Sequence, residues 1–325
     1  MIEVEGLYKS FKVAQRNAGV TAAIKSIFNP QYKTVQALED ISFTIDEGEI
    51  VGYIGPNGAG KSTTIKIISG ILVPDSGKCS ILGNTPWKNR INHVRNIGVV
   101  FGQRSQLWWD VPVMDSYYLL KDIYKIPETT FKSNLDLLTA TLDLSALLST
   151  PVRQLSLGQR MRCEIGASLL HDPKILFLDE PTIGLDAVSK MAVRNFINTI
   201  NQEKKVTVIL TTHDMSDIEA LAERIILIGK GKKLMDGTLT ELKNRFVTHK
   251  TVTVDFAAST QDLSIKGTTV LSRTKERISL AVDLETIKVS DVISILSQNF
   301  DIKDVAVNAQ PVEEIIVDLY KEFQI

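Results

Sequence analysis

Apolar and polar positions alternate through Ile41-Ser42-Phe43-Thr44-Ile45, the two-residue period of a half-buried strand. A Glu47-Gly48 turn follows, then a short apolar run, Ile50 to Ile54, that leads into a glycine-rich loop. Ile175 to Leu178 and Val206 to Leu210 are similar runs, each ending in polar residues and separated by sequence of helical spacing. This pattern predicts an α/β fold with a parallel sheet covered by helices, whose sites form beyond the carboxyl ends of the strands. Arg224 to Gly237, broken by Gly229-Lys230-Gly231, reads as a hairpin. From about 105 to 171 strong strands are missing and Leu135, Leu138 and Leu142 keep helical spacing, which predicts an inserted helical subdomain. A basic stretch, Lys243 to Lys250, precedes a new unit. There Val252, Val254 and Phe256 alternate, as do Ile278, Leu280 and Val282. Val289, Val292, Ile293 and Leu296 follow a helical period, as do Val312, Ile315, Ile316 and Leu319 behind Pro311. We therefore expect domains at 1–245 and 246–325, the second a small α+β unit without a catalytic cluster.

Composition narrows the function classes. A chain of 325 residues suggests about two domains, and 44% hydrophobic against 23% charged residues is the balance of a soluble globular protein. The 37 Lys and Arg against 38 Asp and Glu give a net charge of −1, so a nucleic-acid partner is not expected, although a local anion site is still allowed. No segment approaches the roughly 18–20 unbroken apolar residues that span a bilayer. The start, Met1-Ile2-Glu3-Val4-Glu5, lacks the basic and apolar regions of a secretory signal. Cys79 and Cys163 stand alone, which argues for reduced thiols rather than a disulfide framework or zinc site.

The chemistry concentrates at three strand ends. Gly55-Pro56-Asn57-Gly58-Ala59-Gly60-Lys61-Ser62-Thr63 fits GxxxxGK[ST] between a predicted strand and a predicted helix, from about Lys61 to Ser69. Backbone N–H groups wrap a phosphate only where no Cβ intrudes, hence the glycines. The helix points its positive end at the anion. Lys61 can reach the β- and γ-phosphates, and Ser62 can place a hydroxyl on Mg²⁺. Asp179-Glu180 closes the second apolar run, where two acids would be costly in a core. Asp179 is placed to hold Mg²⁺ through water, and Glu180 to orient and polarise an attacking water; an acidic helix cap is the plainer alternative. His213 follows the third run in Thr211-Thr212-His213-Asp214, on the same sheet edge.

With these residues in view, the chain resembles the ATP-binding subunits of ABC transporters over about residues 1–240. The decisive stretch is Leu155-Ser156-Leu157-Gly158-Gln159, which looks like the family's LSGGQ signature. Gln103 matches the Q-loop, Gly184-Leu185-Asp186 the D-loop and His213 the switch histidine. Leu7-Tyr8-Lys9-Ser10-Phe11 resembles the strand that carries the aromatic stacked on adenine, which makes Phe11 the candidate. The resemblance implies a P-loop NTPase fold with a parallel-sheet core, an antiparallel β subdomain and the helical insert. It also implies two ATPase subunits, identical or related, sandwiching two ATP molecules head to tail. Lys61 and the glycine-rich loop would hold ATP of one subunit. Ser156, Gly158 and Gln159 of the other would cover its γ-phosphate. Gln103 would sense Mg²⁺ and the attacking water, Asp186 would align the subunits and His213 would contact the γ-phosphate.

Three departures stand out. Leu157 occupies the place of the signature's middle glycine, which makes that point of the loop bulkier. Residues 12–34 look like an insertion after Phe11, with Val20, Ile24, Ile27 and Phe28 on one helical face. That helix can pack on its own domain, face a permease or lie on a membrane. Trp108 and Trp109 follow the Q-loop, either as core packing or as interface anchors.

Among ABC-type ATPases the chain resembles the ABC-2-type exporters of the drug- and antibiotic-resistance class. It has one phosphate loop, unlike the fused translation factors, and no long coiled coil, unlike the repair proteins. The expected role is ATP binding and hydrolysis on the cytoplasmic face of a membrane, attached through a separate permease. The alternative is a nucleotide-dependent switch that regulates a partner without transport.

Overall fold

A computed structural model describes residues 1–14, 32–102, 104–246, 249–257 and 264–323. Its contacts divide the chain into two units, Met1–Thr238 and Leu239–Ile325. The division falls before the helix Leu239–Phe246, whereas the sequence pattern places a boundary after it.

The first unit begins with strands β1 (Ile2–Ala14), β2 (Tyr32–Ile45) and β3 (Ile50–Ile54), followed by helix α1 (Lys61–Ile68) and strand β4 (Ser76–Ile81). β1, β2 and β4 make an antiparallel sheet in the order β2-β1-β4. Its buried face carries the alternating residues, with Ile2 opposite Ile45 and Val4 opposite Phe43. The strands run into the expected insertion rather than ending at Phe11: Lys12 pairs with Thr34, Val13 with Lys33 and Ala14 with Tyr32. Their hydrogen bonding extends the hairpin to those positions. The expected helical face of Val20 to Phe28 lies outside the described residues.

The chain continues through α2 (Arg90–Val94), β5 (Ile97–Phe101), α3 (Val113–Tyr124), α4 (Glu128–Leu142), α5 (Leu157–Leu169) and β6 (Ile175–Asp179). Then come α6 (Ala187–Lys204), β7 (Thr207–Thr211), α7 (Met215–Leu221), β8 (Arg224–Gly229) and β9 (Lys232–Thr238). The main sheet has the order β5-β6-β7-β3-β8-β9, parallel except for β9. Its central strands are buried on both faces, which is why they read as unbroken apolar runs instead of alternating. The β8–β9 hairpin turns at Lys230 and Gly231, both at positive φ (47° and 80°), as a two-residue turn between right-twisted strands requires. Because β3 and β6 both flank β7, the loops after these three strands open on one edge.

Helices α3, α4 and α5 occupy the span expected to be helical. The Tyr117 hydroxyl donates to the Cys163 carbonyl at 2.8 Å and ties α3 to α5. Leu138 and Leu142 are buried on α4, as their spacing predicts. No described helix is long and apolar enough to cross a membrane.

The second unit contains α8 (Leu239–Phe246), β10 (His249–Phe256), β11 (Thr268–Arg273), β12 (Arg277–Asp283), α9 (Val289–Asn299), β13 (Ile302–Ala309) and α10 (Val312–Glu322). An antiparallel sheet runs β11-β12-β10-β13. Val252 faces Leu280 and Val254 faces Ile278, and α9 adds Val292 and Leu296 to the same core.

Candidate functional site

The loop between β3 and α1 is held open by its glycines. Gly58 and Gly60 take φ of 82° and 108°, values that L side chains rarely adopt, and space around Gly58 is free. A Cβ on Gly55 would lie 2.6 Å from the Ile228 carbonyl oxygen, so the loop passes against β8 there. Ala59 is buried and its carbonyl accepts the Gly231 N–H at 3.0 Å, which anchors the loop to the β8–β9 turn. Lys61 is 7% exposed, and its Nζ donates to the carbonyls of Gly55 at 2.6 Å and Pro56 at 3.2 Å. Burial lowers the Lys61 pKa from its ordinary value, against the opposing pull of Glu180 and Asp179. Among the described residues, the hydrogen bonds of this cation go to backbone carbonyls, which leaves its charge without a paired carboxylate in direct contact.

Asp179 ends β6 and reaches the end of the neighbouring strand β7 and the start of α1. The Ser62 hydroxyl stands 3.4 Å from one carboxylate oxygen, and the Thr211 hydroxyl donates to the other. Ser62 and Asp179 thus bring one hydroxyl and one carboxylate together, hard oxygen donors of the kind Mg²⁺ takes when waters and substrate phosphates complete its shell. Glu180 sits at φ 55°, in the left-handed region, fixed by its N–H donating to the Thr211 carbonyl at 2.9 Å. That twist turns its side chain toward His213, whose Nδ1 is 3.3 Å from Glu180 Oε1. A cavity of about 700 Å³ opens over these groups, lined by Gly55, Asn57, Ser62, Asp179, Glu180 and His213. A second, of about 220 Å³, lies across the loop beside Gln36, Ala37, Gly58, Lys61 and Thr63.

The His213 loop is braced from below. Asp217 is fully buried and accepts hydrogen bonds from the hydroxyls of Thr182 and Thr212 and from Arg194 Nε at 2.6 Å. Asp214 caps α7 and pairs with Lys190. Burial would raise the Asp214 pKa, but Lys190 and Ser216 outweigh it and hold the carboxyl at about 2. Sequence reasoning missed this bracing, along with Thr211 and Gly102. At Gly102 a Cβ would fall 2.6 Å from the Glu180 carbonyl oxygen. A glycine following the β5 run was the one signal available for it.

The signature residues form a separate locus and line neither of these two cavities. Ser156 caps α5: its hydroxyl accepts the Gln159 N–H at 3.2 Å, and Gln159 Oε1 accepts the Ser156 N–H at 2.9 Å. Leu157 packs over Gly184, where a Cβ would lie 2.9 Å from Leu157 Cδ2. A Cβ on Gly158 would lie 2.5 Å from Ser189 Oγ. The substitution of Leu157 for glycine is therefore accommodated by the glycine of the D-loop. Asp186 caps α6, and its bonds from the N–H and hydroxyl of Ser189 hold its pKa below the ordinary value. Phe11 lies opposite Val35 on β2 with the Lys9 ammonium 5.7 Å from its ring centre, and it lines neither cavity. Gln103 lies outside the described residues.

Residues 38–183 match the ABC transporter family. The ATP-binding protein NatA of Bacillus subtilis (strain 168) is 32% identical over 215 residues, which cover 66% of this chain and 87% of NatA. The chain belongs to the ABC transporter ATP-binding proteins. ABC transporter A family member 1 of Dictyostelium discoideum is 32% identical over 228 residues, or 70% of this chain; they span about a quarter (26%) of that larger protein. A solved structure described as the ATP binding subunit of an ABC transporter superimposes with a TM-score of 0.63 at 27% identity, covering 76% of this chain and 93% of the other. Its fold is the α/β architecture described above, that of the P-loop NTPases.

Proposed function

We propose that this chain binds and hydrolyses ATP to power export through a separate membrane permease, working as a head-to-tail dimer with a second ATPase subunit. The observation that carries the reading is the convergence of Ser62, Asp179, Glu180 and His213 on one cavity, with Lys61 lining a second that shares Ser62 and Glu180, while the signature lines neither. Ser156 lies too far out of that cavity to line it, so a second subunit is the natural source of a signature for each nucleotide. Lys61 and the loop amides bind the phosphates. Ser62 and Asp179 would hold Mg²⁺, which when bound supplies charge neutralisation on the transferring phosphoryl group. Glu180 orients a water and takes its proton, and His213, held beside it, faces the developing charge. Gln103, Asp186, Gly158 and Gln159 take the sensing and subunit-aligning roles that the motifs imply. Export is favoured by the likeness of the motifs to ABC-2-type ATPases, and it places the chain on the cytoplasmic face, attached through the permease.

The test is purification of the full chain from solubilised membranes, with sizing of the Glu180→Gln variant with and without ATP. A co-purifying multispanning protein and an ATP-dependent dimer are expected. A partner that spans no membrane would replace transport with regulation of that partner.

A further inference from the structure

A buried acid is unexplained by the site so far. Glu164 lies on α5, about one and a half turns beyond the signature, and is 4% exposed. An apolar residue would satisfy the helix face there, and burying a carboxylate is costly unless its oxygens are bonded. They are bonded to a single loop. The Ser105 hydroxyl donates to Oε1, and the Gln106 N–H donates to Oε2 at 3.1 Å. The Gln106 side chain donates in return to the Glu164 carbonyl at 2.9 Å. One turn back, the Arg160 guanidinium lies 5.6 Å from the Trp109 ring centre, and Arg153 pairs with Asp110 at 2.9 Å. Residues 105–110 are thus fastened along the signature-bearing segment. The residues just before them belong to the nucleotide cavity: Gly102 and Arg104 line it, and the Gly102 N–H donates to the Asp179 carbonyl at 2.8 Å.

We propose that Glu164 is a positioning residue that fastens the wall of the nucleotide cavity to the signature helix, so that the two ATP-facing surfaces of one subunit move together. The proposal rests on the ATPase reading above. Ser105 and Gln106 form the joint, and the Arg160–Trp109 contact keeps the strap from swinging. Trp108 and Trp109, 42% and 50% exposed, are not core residues; they mark the outer side of the strap.

The experiment compares the full chain with Glu164→Ala, Glu164→Gln, Ser105→Ala and the Ser105→Ala/Glu164→Ala double variant. Turnover is measured in each, and ATP affinity is measured in the Glu180→Gln background. In Glu164→Ala we expect kcat to fall about ten-fold or more while KM and ATP affinity stay within about three-fold, the split expected of misplacement rather than lost binding. Glu164→Gln, which keeps an acceptor for Gln106, should recover most of kcat. The double variant should be no worse than Glu164→Ala alone. Unchanged kcat in Glu164→Ala, equal loss in Gln and Ala, or additive losses in the double variant would each overturn the proposal. If Glu164→Ala does not fold by circular dichroism, Ser105→Ala/Gln106→Ala removes the two side-chain bonds of the joint and leaves the Gln106 N–H on Glu164, and an unchanged kcat there overturns it too. Absence of ATP binding by the unmodified chain would remove the underlying reading and this one with it. Normal ATP binding with unchanged turnover in every variant removes only the role of Glu164.

Discussion

Glu180 Oε1 and His213 Nδ1 meet at 3.3 Å across the ends of adjacent strands. The contact depends on backbone as much as on side chains, because Glu180 reaches it from a left-handed φ of 55°. The bond from the Glu180 N–H to the Thr211 carbonyl keeps that turn in place, against the extended backbone that Pro181 favours for the residue before it. Both side chains line the larger cavity.

Replacing Glu180 with Gln keeps the shape and removes the base. Turnover should fall by about 10²–10⁴-fold with ATP affinity retained. Steady-state phosphate release and equilibrium ATP titration check the two halves separately. Unaltered turnover would refute the assignment.

Gly55→Ala places a methyl group 2.6 Å from a backbone oxygen of β8, an atom that cannot swing aside. The loop must shift, at a cost of roughly 1–3 kcal/mol. Both the thermal midpoint and ATP affinity should drop, whereas Thr63→Ser, in the first turn of α1, should leave the midpoint nearly unchanged.

Arg194→Ala strands the fully buried Asp217 with two hydroxyl donors and no cation. Leaving a buried charge unpaired costs roughly 3–5 kcal/mol, and the remaining hydroxyls favour the lower end. Denaturant unfolding should show the loss. Adding Asp217→Asn should restore part of it, since the unpaired charge is then gone.

The Asp214 carboxyl provides a pH test. Its folded pKa of about 2 lies below its ordinary 3.8. The native state therefore holds this proton more weakly than the unfolded chain. The resulting stabilisation is fully present above the ordinary value and is lost as pH falls from there toward the folded one. Asp214→Asn should be less stable than the parent at neutral pH and converge with it in acid. Unfolding midpoints measured across that range give the result.

The strand ends were legible because buried parallel strands leave unbroken apolar runs, and Asp179-Glu180 and His213 interrupt them abruptly. The glycine-rich loop was legible because its geometry tolerates few residue types. β11 and β13 were not, since most of their residues are exposed and carry no clean alternation. Asp217 and Glu164 read as ordinary helix-surface acids until packing buries them, because a single acid on a helix does not reveal which way it faces. The β1–β2 extension escaped notice for the same reason: Lys12, Val13, Lys33 and Thr34 are all exposed, and only their cross-strand pairing makes them a hairpin.

The Ser156 hydroxyl is engaged as an acceptor by the Gln159 N–H before any ligand arrives. A hydroxyl used this way still has its own hydrogen to give, and the capping geometry limits where the oxygen can sit. The rotamer freedom of this side chain is surrendered when the helix folds rather than when a phosphate docks. A partner that accepts from this hydroxyl would meet a donor with little ordering left to do, which lowers the entropic cost of the contact.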